Sequence, residues 1–434
     1  MATSYNIGME AIDFQADNLK KILAFHIGEL RKLSKEELLR EGTYAVLSAE
    51  IKKTTNLNTT IIVDQLYGSA AVMVPDVNRN NPLVNDMYKG YLPNATGFKL
   101  VENARNVIKG TVNLKKARVD GVYANLDHTV FLPLTDMLSE RFTDEEIVAV
   151  LLHEIGHIFV YYEYISRTVT TNTVLAGIAK TMSSTTDPKE IETVLLSAKK
   201  VLQLTDLDVK KLVNNSRVDL VEMVVVSSAI EQARSELGSD IYDMNSFEAL
   251  ADNFATRLGC GRELVTALDK YYRSGNDMAL RTLPTYLALE AIKLLNLGLS
   301  TVIVAATVTG IAGAAPAGIM IILTTIFLVG NDLNTKDYDR PLFRLKRIKE
   351  QLVERMKDKR ASKEERKQLA ESVEHIDGLL KDYNTRTSVF VKLAAVVSTS
   401  VRKRYKQEQL QSELESLASN ELFEFYNAQN TGVK

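Results

Sequence analysis

A chain of 434 residues with a formal net charge of −2, 25% charged residues and no tryptophan has an ordinary balance that implies no polyanionic partner. Its length suggests two or three units with enough chain to bury a sizeable core. The single cysteine, Cys260, excludes an intrachain disulfide framework, and "MATSYNIGMEAIDFQADNLKK" lacks the apolar run of a signal peptide, so a reducing, cytosolic side is the expected setting.

In chain order, residues 8 to about 55 read as helical, with Ser34 and Glu37 spaced as a capping box. From Thr59 the pattern turns strand-like, through "TTIIVDQLYGSAAVMVP" and then "GTVNLKKARVDGVYANLDHTVFLP". These strands lead into "FTDEEIVAVLLHEIGHIF", residues 142–159, a helix whose start is marked by Thr143 followed by Glu146. Residues 160–240 are mostly helical, and "NSFEALADNFATRLG", residues 245–259, is a further helix with Leu250, Phe254 and Leu258 at core spacing and Gly259 at its end. No charged residue occurs from Leu294 to Asn331. Its centre, "GIAGAAPAG", carries the glycines and proline expected where a helix breaks, which predicts a hairpin of two short apolar helices, dipping into a bilayer or buried in a large assembly. The last region is helical and basic, with eleven Lys or Arg against five Asp or Glu over residues 344–367 and a second cluster, "RKRYK", at 402–406. Such a tail suits an anionic membrane face or a solvated surface. Acidic residues interrupt its basic runs, so no nucleic acid is expected as a partner.

Two of the five histidines, His153 and His157, lie four residues apart with Glu154 between them. At about 100° per residue, Ile147, Leu151, Ile155 and Ile158 share one helix face while the two imidazoles project from roughly the opposite side. Residues so spaced can offer two ring nitrogens to one tetrahedral Zn²⁺, and a glutamate directly after the first histidine can reach a water there. A catalytic zinc site needs a third protein ligand. His26, His128 and His375 have no helical neighbour suited to ligation, so a carboxylate is the better source. Glu248 and Asp252 share a helix face beside the small residues Ala251 and Ala255, although Asn245 and Glu248 could instead form a capping box with Asp252 a solvated charge.

Taken together, "TDEEIVAVLLHEIGH" and the later Glu-x-x-Ala-Asp-x-x-Ala resemble the gluzincin family of CAAX prenyl proteases, HtpX-like and Oma1-like zinc endopeptidases, over residues 95 to 275. The resemblance implies His153, His157 and Glu248 as zinc ligands, Glu154 as catalytic base and Asp252 as a residue steadying a ligand histidine. It also implies a small sheet whose edge holds an extended peptide, with residues 110–133 as the substrate-binding wall. The family's later His-Pro element is missing. "YDRPLFRLKRI" resembles a degenerate version, which leaves Arg340, Arg344, Tyr123 and His128 as possible oxyanion stabilisers. Cys260 reads as structural.

The expected fold is α+β and mainly α-helical: a lead-in over 1–58, a zincin-like metallopeptidase domain with a small sheet over 59–280, an apolar helical hairpin over 281–332 and a basic helical region over 333–434. The expected function is zinc-dependent endoproteolysis of a protein or peptide substrate, with Glu154 as general base, on the cytoplasmic side of a membrane. The alternative is a structural or assembly protein, viral or membrane-remodelling, that keeps a peptidase-like fold with an idle zinc site.

Overall fold

The computed structural model describes residues 17–65, 70–74, 92, 94–114, 116–215, 217–237, 241, 245–274, 341–358 and 360–385. Of these, residues 17–267 and 343–376 fall in one compact unit, and 268–274, 341–342 and 377–385 in a second. In the second unit an Arg273–Asp269 ion pair at 2.8 Å braces one helical turn. The apolar stretch 294–331, Arg340 and the cluster at 402–406 lie outside the described residues. Among those described, no helix is long and apolar enough to cross a membrane.

The fold is α+β and mainly helical with a small sheet. Helices α1 (Asp17–Leu30), α2 (Lys35–Leu38) and α3 (Ala45–Thr55) precede strands β1 (Asn58–Asp64) and β2 (Ala71–Met73). Then come α4 (Gly97–Asn103), β3 (Gly110–Asn113), β4 (Arg118–Gly121), β5 (Asp127–Pro133) and α5 (Leu134–Leu138). The central helix α6 (Asp144–Ser184) is followed by α7 (Pro188–Leu202), α8 (Val209–Val213), α9 (Val218–Leu237) and α10 (Asn245–Ala255). A π-helical turn, Thr256–Cys260, joins α10 to α11 (Gly261–Ser274), and α12 (Pro341–Lys357) and α13 (Lys363–Thr385) complete the described chain.

Helix α6 starts where the capping pattern predicts. The Thr143 side chain accepts from the Glu146 N–H at 3.2 Å, and the Thr143 N–H donates to Glu146 Oε2 at 2.8 Å. Three acidic residues in the first turn suit the positive end of the helix dipole. Arg31 pins α1 to this start, donating to Asp144 Oδ1 at 2.6 Å and to the Ser139 carbonyl at 2.6 Å. The one-faced amphipathic helix read from the sequence is corrected by the structure: every residue from Glu146 to Gly156 is buried, His153 and Glu154 included. Elements pack around the whole circumference of this stretch, so it behaves as part of a core helix and not of a surface one.

The sheet has the order β1-β5-β2, with β1 parallel and β2 antiparallel to β5. Strands β3 and β4 form a separate antiparallel pair. Residues 110–133 are therefore not one continuous wall. Strand β5 sits at the centre of the sheet, paired with β1 along its length and with β2 at residues 129–131.

Helix α10 lies against α6 at Gly156, where an added Cβ would meet the Ala251 Cα and carbonyl oxygen at 3.0 Å. These are backbone atoms that cannot rotate away. Rings of Phe159 and Phe254 stack at 4.7 Å beside this crossing. Gly156→Val should consequently lower stability by about 1–3 kcal/mol in urea denaturation, as overpacking of a tight contact does. A wild-type midpoint would show that the helices separate without cost.

Candidate metal centre

The crossing of α6 and α10 brings four titratable side chains together. His153 and His157 are one turn apart on α6, and Glu248 and Asp252 are one turn apart on α10. The two imidazole Nε2 atoms are 3.1 Å from each other. Glu248 straddles them, with Oε2 at 3.4 Å from His153 Nε2 and Oε1 at 3.4 Å from His157 Nε2. Donors held 2.0–2.1 Å from a tetrahedral ion lie about 3.3–3.4 Å apart, close to the spacing of the two nitrogens and of each nitrogen from its own Glu248 oxygen. The Glu154 carboxylate also lies within 4.8 Å of both ring nitrogens, and the group His153, Glu154 and His157 could hold a metal ion. Nitrogen and carboxylate donors of this kind fit a divalent ion of intermediate softness.

Behind the imidazoles, Asp252 Oδ1 sits 3.0 Å from His153 Nδ1, a close charge contact without hydrogen-bond alignment, on the side of the ring away from His157 and Glu248. Arg344, from α12, donates through Nε and Nη2 to the two Asp252 oxygens at 2.8 and 2.7 Å. Its Nη1 lies 3.2 Å from Glu248 Oε2. The guanidinium thus braces both carboxylates from behind and is itself only 3% exposed.

Electrostatics follow from this packing. Burial acts to lower the His153 imidazole, but contacts with Asp252 and Glu248 raise it to about 9. His157 is lowered to about 4, by burial and then by its charged neighbour His153. Burial would raise Glu248, yet His153, Arg344 and His157 bring it to about 2. Asp252 is likewise held below the usual carboxylate range against burial, chiefly by Arg344 and His153. Glu154 moves the other way, because burial raises its pKa.

The remaining residues singled out in the sequence lie elsewhere in the packing. Tyr123 stacks on Tyr162 at 4.1 Å and its hydroxyl meets Ser166 Oγ at 2.7 Å. His128 faces the Asn58 carbonyl through Nδ1 at 2.9 Å and the Tyr162 hydroxyl through Nε2. Both are buried, and burial lowers the His128 pKa. Cys260 is buried, as a structural cysteine would be. The bracing role of Arg344 is not apparent from its neighbours in sequence. Its signal is positional, because Arg344 falls on the same helix stripe as Leu345, Ile348 and Leu352, where a cation must find a buried carboxylate.

No protein-family model matches the chain, and comparison with curated proteins and with solved structures finds no match.

The protonation pattern predicts how an ion would bind. A metal must displace the proton of His153, whereas His157 and Glu248 are already deprotonated at neutral pH. Uptake of a divalent ion at pH 7 should release about one proton, and affinity should rise about tenfold per pH unit until His153 deprotonates. Calorimetry in buffers of different ionisation enthalpy measures this. Release of no proton would mean that His153 is neutral in the metal-free protein.

Proposed function

We propose that the chain is a zinc-dependent endopeptidase of the gluzincin type, with His153, His157 and Glu248 as ligands and Glu154 as general base. One observation carries the reading: the two Nε2 atoms lie 3.1 Å apart, each with its own Glu248 oxygen at 3.4 Å, and the separate carboxyl group of Glu154 is close by. A site used only to hold metal has no need of that extra base. Zinc, when bound, would lower the pKa of a water molecule and polarise a scissile carbonyl.

The chain's own residues do the rest. Glu154 takes a proton from the attacking water and returns it to the leaving amine, and its raised pKa suits both halves of that exchange. Asp252 lies on the Nδ1 side of His153, which leaves Nε2 facing His157 and Glu248 to ligate. Arg344 keeps Asp252 and Glu248 ionised and in place. Substrates on this reading are proteins or peptides met on the cytosolic side, and membrane association rests on the charge-free stretch 294–331 together with the basic residues that follow it. A structural or assembly protein with an idle zinc site is the second reading. It is favoured by Arg344, Tyr123 and His128, whose polar atoms are engaged with neighbouring side chains or backbone.

Zinc analysis with a broad peptide-cleavage screen separates the two. Wild type should bind one zinc per chain and cut peptides, His157→Ala should lose the metal and Glu248→Ala should bind it more weakly. Glu154→Gln keeps size and shape, so zinc should remain while hydrolysis falls about 10²–10⁴-fold. Equal cleavage by Glu154→Gln and wild type would remove Glu154 as the base. Zinc-loaded wild type that cuts nothing would leave the structural reading.

A further inference from the structure

The larger unit also contains a cavity of about 1280 Å³, walled by α1, the first turn of α6, the turn Thr256–Cys260, α11, α12 and α13. None of His153, Glu154, His157, Glu248, Asp252 or Arg344 is among its lining residues. Arg257 is, and its situation differs from that of the cations around it. Lys20 pairs with Glu263 at 2.8 Å, Arg355 with Glu365 at 2.8 Å and Arg360 with Asp358 at 3.0 Å. Arg257 is half-buried, its Nε is shut off from solvent without a hydrogen-bond partner, and burial depresses its basicity with no carboxylate opposing the shift. Several acids that line the cavity are committed elsewhere, Asp144 to Arg31, Glu263 to Lys20, and Glu365 and Asp358 to Arg355, and none of the lining acids is in an ion pair with Arg257.

Two further lining residues have buried polar atoms without partners, the hydroxyl of Thr256 and both amide atoms of Gln351, at 6% and 1% exposure. Water could serve the hydroxyl and the amide, but it could not neutralise a desolvated guanidinium. An anion would neutralise the guanidinium and accept from the Thr256 hydroxyl and the Gln351 amide N–H. The planar fork of arginine matches the two oxygens of a carboxylate or phosphate, and a hydroxyl and an amide N–H are the neutral donors that accompany such a group.

We propose that this cavity is a second ligand site, which takes a small molecule bearing a carboxylate or phosphate group on Arg257, with Thr256 and Gln351 as its polar partners. The site is independent of the metal centre and stands whether or not the chain is a peptidase.

The test titrates the full-length chain with inorganic phosphate and, separately, with acetate, by calorimetry and by thermal melting. One probe or both should bind saturably at one site per chain and raise the melting temperature with concentration. Whichever binds more tightly identifies the group. Arg257→Met should weaken binding about tenfold or more, and Thr256→Val should weaken it less. His157→Ala should bind as wild type, which separates this site from anion binding at a metal. In anion-free buffer Arg257→Met should melt at or above the wild-type temperature, because methionine fills much of the stem volume without a desolvated charge. Absence of saturable binding by either probe overturns the proposal. So does wild-type binding by Arg257→Met, or a lower melting temperature of that variant in anion-free buffer, which would mark the guanidinium as structural.

Discussion

The bidentate pair between Arg344 and Asp252 is the contact on which the rest of the centre depends. Asp252 is 1% exposed and Arg344 3% exposed, so each buried charge is compensated chiefly by the other. Asp252 in turn faces His153, and Arg344 reaches on to Glu248, so one guanidinium sets the charge state of two carboxylates and, through them, of an imidazole. Breaking a buried pair of this kind commonly costs about 3–5 kcal/mol because the surviving charge is left uncompensated. The two partners are 92 positions apart in the chain. The cluster that α6 and α10 begin is therefore completed only by α12, beyond the long charge-free stretch.

Close approach of the helices is the second constraint, and it is made by small residues. Gly156 lies between the two histidines, and its missing side chain lets the Ala251 backbone approach to a distance at which a carboxylate from α10 spans both imidazoles. Buried apolar side chains such as Phe159 and Phe254 flank that contact and help to keep water from it. The same desolvation that raises Glu154 strengthens every pairing among its neighbours. Cost and benefit have one origin.

Local signals were legible in the sequence. The Thr143–Glu146 capping box marked the start of α6, Gly259 marked the break after α10 and adopts the positive φ of 81° that a helix end requires, and the alternating runs marked the strands. The shared face of Glu248 and Asp252 was also readable, because i, i+4 spacing fixes it whatever the tertiary fold. Less was legible where long-range partners decide. Periodicity assigned α6 one apolar face, yet it is buried all round from Glu146 to Gly156, since helices distant in sequence cover the other side. Residues 110–133 read as an open wall, and pairing with β1 and β2 puts β5 at the centre of the sheet. Tyr123 and His128 stood among several candidate oxyanion stabilisers, and Tyr162, which no spacing connects to them, engages both.

Helices α10 and α12 meet buried charge in two ways along their lengths. Near the metal centre, Asp252 and Arg344 neutralise each other and leave little net field. One turn beyond Asp252 comes Thr256, and two turns beyond Arg344 comes Gln351, both buried and with polar atoms that no neighbour satisfies. Beside Thr256 stands Arg257, the counterpart of Arg344 without its aspartate. A chain under selection for stability alone would fill such positions with apolar side chains, because replacing unpaired buried polar groups by hydrophobic ones of similar volume is neutral or stabilising. Retention of an arginine, a threonine and a glutamine around one cavity is thus better explained by an occupant than by packing, whereas the Arg344 pair needs no occupant to account for it.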